Sequence, residues 1–231
     1  MKCNVERVVE ALIGVELAAT RKAAAKAAEK EAHPSPQPVV TVSRTYGSLG
    51  REVAETLAAR LGVRCCDREI LEGVARRAQV DVRLVERLDE RVKAIKGDWW
   101  RAFVSGNSLS RDAYLGHLVK VVLGISQTGG VILGRGANFI LRDEQQFRLR
   151  VVGSLDVCAG RIAKRKEMDL VDARRRVIEL NSQRAAFVRD FLGADTARAE
   201  AYDLVANTDR LSVDSIVEMV LLGMRHGDAG T

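Results

Sequence analysis

Aromatic residues make up only 4% of this chain of 231 residues, too few for the stacking platforms that bind single-stranded nucleic acid. Proline is scarcer still, and all three prolines fall within the stretch "HPSPQP" at 33–38. No apolar run is long enough to span a bilayer, and Glu6, Arg7 and Glu10 interrupt any signal-peptide core near the N-terminus. The expectation is a soluble, cytoplasmic protein with no membrane partner. Cysteine is sparse, and Cys3, Cys65, Cys66 and Cys158 lack metal-ligand spacing, as do His33, His117 and His226. That pattern suits a reduced compartment and predicts no metal cage.

What is present is a core-forming chain with a moderate basic excess. Hydrophobic residues reach 47%, charged residues 29%, and the net charge is +6. Such a balance favours anionic ligands such as phosphates and falls short of a dedicated nucleic-acid binder. The proline cluster stiffens the backbone and separates residues 1–38 from residues 39–231. Before it, Val5, Val8, Val9, Leu12 and Ile13 recur at helical spacing and an Ala/Lys/Glu-rich tract continues to Ala32. This N-terminal helical extension packs on its own domain or on a second subunit, and its apolar stripe raises the expectation of a homodimer.

After the linker, "VVTVS" (39–43), "VRCCD" (63–67), "VILGRG" (131–136), "FRLRVVGS" (147–154) and "YDLVANT" (202–208) read as strands. Neighbouring Cys65 and Cys66 then point to opposite faces. Val53, Leu57 and Leu61 form a helix stripe after the first strand, and helices rich in arginine fill about 155–192. A closing helix starts near Val213. Residues 68–128 carry helical patterns broken near "KGDWW" and "SGNSLS", an insert too long for a plain crossover. Strands alternating with helices imply an α/β fold, a five-stranded, mostly parallel sheet with helices on both faces. Its ligands belong at the carboxyl ends of the strands.

The stretch "TVSRTYGSLGREVAETLAARLG" (41–62) runs from strand through a glycine-bearing turn into an amphipathic helix, the arrangement that cradles phosphates. A lysine is missing. Against G-x-x-x-x-G-K-[ST], Gly50 takes the last glycine, Thr45 the first, Arg51 the lysine and Glu52 the hydroxyl residue. Gly47, Ser48, Leu49 and Gly50 remain candidates for wrapping an anion, because glycines let amides turn inward and a helix N-terminus adds donors. Arg51 supplies a cation of different geometry, and Ser48 or Thr45 is left to reach a Mg²⁺ ion. An ordinary strand-to-helix turn is the alternative reading of the stretch alone.

Taken in order, "SRTYGSLGREVA", "CDREIL", "VILGRGANFILRD" and "YDLVANT" resemble the cytidylate kinase-like family of phosphate-loop nucleoside monophosphate kinases, over about residues 39–221. In that family the loop commonly runs Ser-Arg-x-Tyr-Gly-Ser-x-Gly-Arg-Glu, so Arg51 and Glu52 look like its ordinary variant. The resemblance implies a P-loop NTPase three-layer sandwich. It also implies ATP and Mg²⁺ as cofactors, with a small phosphorylated acceptor as partner.

Residue by residue, the resemblance assigns Asp67, Arg68 and Arg135 to the acceptor site. Their alternative is a helix start with a surface arginine. Gly136 stands where cytidylate kinases proper carry aspartate. Arg161 and Arg165 share a helix face with Lys164 beside them; with Arg184 in "NSQRAAF" they match the family's mobile lid, about 155–192, whose arginines neutralise charge in transfer. Asn181 replaces the lid's usual aspartate. Arg174 to Arg176 read as a solvated face, and Trp99 and Trp100 as core or interface packing before a cap for the acceptor base. The leading expectation is an ATP-dependent phosphotransferase, with catalytic roles for Arg51, Arg161, Arg165 and Arg184. The runner-up is a catalytically silent nucleotide-binding sensor using the same cleft.

Overall fold

The computed structural model describes residues 37–67 and 109–227. The N-terminal extension with most of its linker, Arg68, Trp99, Trp100 and the greater part of the expected insert lie outside the described residues. Five strands form one sheet: β1 (Val39–Arg44), β2 (Cys65–Cys66), β3 (Gly130–Leu133), β4 (Phe147–Val152) and β5 (Leu204–Asn207). Their order is β2-β3-β1-β4-β5, and every neighbouring pair is parallel.

The helices are α1 (Gly50–Leu61), α2 (Leu109–Thr128), α3 (Ala137–Ile140), α4 (Leu155–Lys166), α5 (Leu170–Leu192) and α6 (Val213–Gly227). They cover both faces, which is why β1 and β3 read as continuous apolar runs and not as alternating ones. On one face Val40, Val42, Val131, Leu133, Leu149 and Val151 meet Val53 and Leu57 of α1 and Ile216, Val217 and Val220 of α6. On the other, Val39, Cys66 and Ile132 meet Leu115, Leu118 and Val122 of α2 and Ile140 of α3, with Phe187, Phe191 and Leu192 of α5 alongside. Cys65 packs against the first cluster and Cys66 belongs to the second, so the pair does face opposite ways. Leu57 is wholly buried, a burial that stabilises the fold by about 2 kcal/mol.

This order positions the site. β1 lies between β3 and β4, so the chain leaving it enters the phosphate loop at the middle of the sheet's carboxyl edge, where strand order reverses. A third cluster of Cys158, Ala159, Ile162, Ala173 and Val177 clamps α4 to α5, and Tyr46 of the loop packs against it. Ser154 and Asp169 start these two helices by accepting from the amides of Val157 and Val171. Arg174, Arg175 and Arg176 are exposed and pair with Asp156, Asp172 and Glu179, as a solvated face does.

Candidate active site

Residues 45–49 form the turn between β1 and α1. Gly47 sits at φ 87°, where only glycine is at ease, and a Cβ there would stand 2.7 Å from the carbonyl oxygen of Cys158. Leu49 takes φ 58° as the residue before the helix, so α1 begins at Gly50 with its first amides directed at the turn. Ser48 is fully buried, and its hydroxyl donates to the carbonyls of Thr45 at 2.9 Å and Val151 at 3.1 Å. The Ser48 hydroxyl, expected to reach Mg²⁺, is turned into the fold, where it braces the loop against β4. Thr45 also lies against the Cys158 thiol, whose pKa is raised chiefly by burial.

Arg51 and Glu52 stand in the first turn of α1. The Arg51 guanidinium reaches Asp67 at the end of β2 at 2.9 Å and Glu55 at 3.9 Å, with its side chain 55% exposed. Asp67, expected at the acceptor site, is thus tied to the loop's own helix. Glu52 accepts from Arg165 at 3.4 Å, and Lys164 is exposed.

The helices α4 and α5, where the lid was expected, lie against the loop. Arg161 donates to Thr208 through both its hydroxyl (2.8 Å) and its carbonyl (2.6 Å), and to the carbonyl of Gly47 at 3.4 Å. It therefore joins α4, the loop and the end of β5. Asn181 accepts from the amide of Tyr46 at 2.7 Å, while Arg184 donates to the carbonyl of Arg44 at 3.2 Å and stacks 5.5 Å from the Tyr46 ring centre. Arg184 is held by a carbonyl and a ring instead of the carboxylate usual one turn before it.

Between the carboxyl ends of β1 and β3, α3 and α5 lies a cleft of about 330 Å³. Arg135 enters it from a left-handed backbone, φ 54°, with its guanidinium 4.7 Å above the Phe187 ring. Asn138 is 95% buried on the same wall, and its Nδ2 has no partner among the described residues. Gly136 takes φ 66°, and a Cβ there would overlap Cδ1 of Leu192 unless that side chain moved. Arg150 donates to Tyr202 Oη at 3.1 Å and Ser43 Oγ at 3.3 Å. Four arginines, Arg44, Arg135, Arg150 and Arg184, line this cleft, with no aspartate or glutamate among its described lining. Such a field concentrates anions.

Arg44 is the residue that sequence reasoning passed over. Burial, then the charges of Arg184, Arg51 and Arg135, lower its pKa to about 9, against a smaller opposing effect of Asp67. An arginine closing an otherwise apolar strand, directly before a phosphate-loop turn, was the signal available. Asn181 left only a weaker one, its place on the same helix face as Arg184 three residues on.

The cytidylate kinase-like family profile matches residues 39–210. A cytidylate kinase of Methanopyrus kandleri is 32% identical over 99 residues, which is 38% of this chain and 51% of that protein. The chain therefore matches about half the length of this curated relative. The crystal structure of an uncharacterized protein from Eubacterium ventriosum superposes with TM-score 0.64 at 20% identity, over 80% of this chain and 97% of that one. It shares the fold. With the profile running from the first residue of β1 to three residues past β5, this chain belongs to the cytidylate kinase-like family.

Proposed function

We propose that the protein is a phosphotransferase of the nucleoside monophosphate kinase type, moving the γ-phosphoryl group of ATP to a small phosphorylated acceptor. The observation that carries this reading is the cleft lined by four arginines beside a phosphate loop at the carboxyl edge of the sheet. The amides at the start of α1 receive the donor phosphates, and Arg135 binds the acceptor phosphate as a fork. An acceptor oxygen bonds to the γ-phosphorus as the bond to the β,γ-bridging oxygen breaks, and that oxygen keeps the electron pair on the departing ADP. Arg184 faces the charge that gathers there, held in place by the Arg44 carbonyl and the Tyr46 ring. Arg161 keeps the loop and the lid in register.

Mg²⁺ bound with ATP would neutralise charge on the phosphate oxygens. Among the described residues no group of three acidic, histidine or cysteine side chains could cage an ion, which suits a metal held mainly by phosphates and water. Glu52 is the acidic residue in the first turn of the loop's helix, where it pairs with Arg165. A catalytically silent nucleotide binder is the second reading, favoured by the inward turn of the Ser48 hydroxyl.

A coupled assay separates them. ATP and Mg²⁺ are presented with CMP, dCMP, UMP, AMP, GMP or shikimate, and both ADP and phosphorylated product are followed. Acceptor-dependent ADP formation supports the phosphotransferase. Saturable ATP binding with no transfer to any acceptor would leave the silent reading. Gly136 carries no side chain, so the contact to cytosine expected of an aspartate there has no counterpart at that position.

A further inference from the structure

The phosphate loop lacks its lysine, and the arginine in the lysine's place is engaged elsewhere. Arg51 lies outside the cleft lining, over half exposed, with its guanidinium 2.9 Å from the Asp67 carboxylate. A different guanidinium occupies the space between the donor loop and the acceptor wall. A Cβ on Gly50, the loop's last glycine, would stand 2.5 Å from the Cβ of Arg44. A Cβ on Gly134, which follows β3, would overlap the Arg44 guanidinium itself. Two glycines on separate elements thus keep a track clear for this one side chain, from the start of α1 to the loop that carries Arg135.

We propose that Arg44 is the cation that faces the transferring γ-phosphoryl group, taking the electrostatic task of the absent phosphate-loop lysine. The inference rests on the phosphotransferase reading above and adds to it the last residue of the strand, directly before the loop. Its position supports that role in three ways. Arg44 lines the cleft, it emerges where the donor loop and the acceptor wall meet, and its neighbours are Arg51, Arg135 and Arg184. Guanidiniums gathered in one cleft make a field that a bound anion relieves. Asp67 is drawn towards Arg51, and Arg44 donates to no carboxylate side chain among the described residues. A planar fork can span two phosphoryl oxygens where a lysine would meet one, so the substitution changes the geometry of the contact and keeps its charge.

The test compares ATP with ADP by calorimetric titration in the full-length protein, because only ATP presents a γ-phosphoryl group. Arg44→Gln and Arg44→Met should each raise the Kd of ATP by about 10- to 100-fold, the size of a lost charge-assisted phosphate contact. The Kd of ADP should change by less than about threefold. Arg51→Gln should weaken ATP and ADP by similar factors, as loss of a charge near the helix N-terminus would. If Arg44→Gln does not fold, Arg44→Met supplies the same comparison, and Arg44→Lys should restore part of the preference for ATP. Equal effects of the Arg44 variants on ATP and ADP would overturn the assignment while leaving the phosphotransferase reading intact. A γ-selective loss in Arg51→Gln would overturn it in favour of the lysine position. A wild-type protein that binds neither nucleotide would remove the phosphotransferase reading and this inference together.

Discussion

Replacing Arg44 by methionine should stabilise the protein in the absence of nucleotide while weakening its response to ATP. A guanidinium whose pKa falls from the ordinary arginine range to about 9 carries roughly 5 kcal/mol of unfavourable interaction, at 1.36 kcal/mol per decade. Methionine removes that charge but leaves part of the track beside Gly134 unfilled, an offset of about 1–3 kcal/mol. A net gain of about 2 kcal/mol should raise Tm by roughly 4–8 °C for a chain of this length. Differential scanning calorimetry in a phosphate-free buffer reads it directly. The pH dependence has a defined sign. Because Arg44 is a base with a lowered folded pKa, the unfolded chain keeps this proton to higher pH than the folded one, so the deficit is whole at pH 7. It shrinks only as pH rises from about 9 towards the ordinary arginine range. ATP at about a hundred times the wild-type Kd should close most of that gap, since it adds roughly 2.7 kcal/mol to the wild type and less to a variant whose Kd is higher. A ligand-free Arg44→Met protein no more stable than wild type would show that the buried charge is already compensated, and the electrostatic argument would fail.

Gly47→Ala forces a Cβ to within 2.7 Å of a backbone oxygen at φ 87°, so it should cost about 2–3 kcal/mol in urea denaturation and weaken nucleotide binding. The Arg148–Asp203 pair is about one-third exposed on both sides, so Arg148→Ala should cost no more than about 1 kcal/mol. Asp203→Ala should cost visibly more in the same measurement, because Asp203 also accepts from the amide of Arg148 at 2.7 Å. Cys158 is fully buried with a raised pKa, so its labelling by a thiol reagent at pH 8, followed by mass spectrometry, should be slow in native protein and fast in urea.

The elements were legible before any coordinates. Apolar runs at Val39, Val131 and Phe147, and the helical stripe of Val53 and Leu57, are local patterns that depend on chain spacing alone. The loop and its neighbours in order also disclosed the family. The extent of each strand was less clear, since β2 retains only Cys65 and Cys66. A short edge strand exists by pairing with β3, which lies far along the chain.

The site divided differently. Arg135 and Arg184 were found because motifs name them, and the structure does bring both to one cleft. The directions of Ser48 and Arg51 were not legible, because sequence position says where a backbone atom lies and not which way its side chain turns. Ser48 turns inward to donate to the carbonyls of Thr45 and of Val151 on β4. Arg51 turns aside because β2 delivers Asp67 to the neighbouring edge. Arg44, Asn138, Arg150 and Asn181 acquire their places only when β1 is set between β3 and β4 and α5 is laid across the loop. Composition and periodicity determined the layers, since burial of apolar stripes is a short-range demand. Which guanidiniums share a cleft was decided by the tertiary structure, since Coulomb and hydrogen-bond energies depend on distances that crossovers between remote segments set.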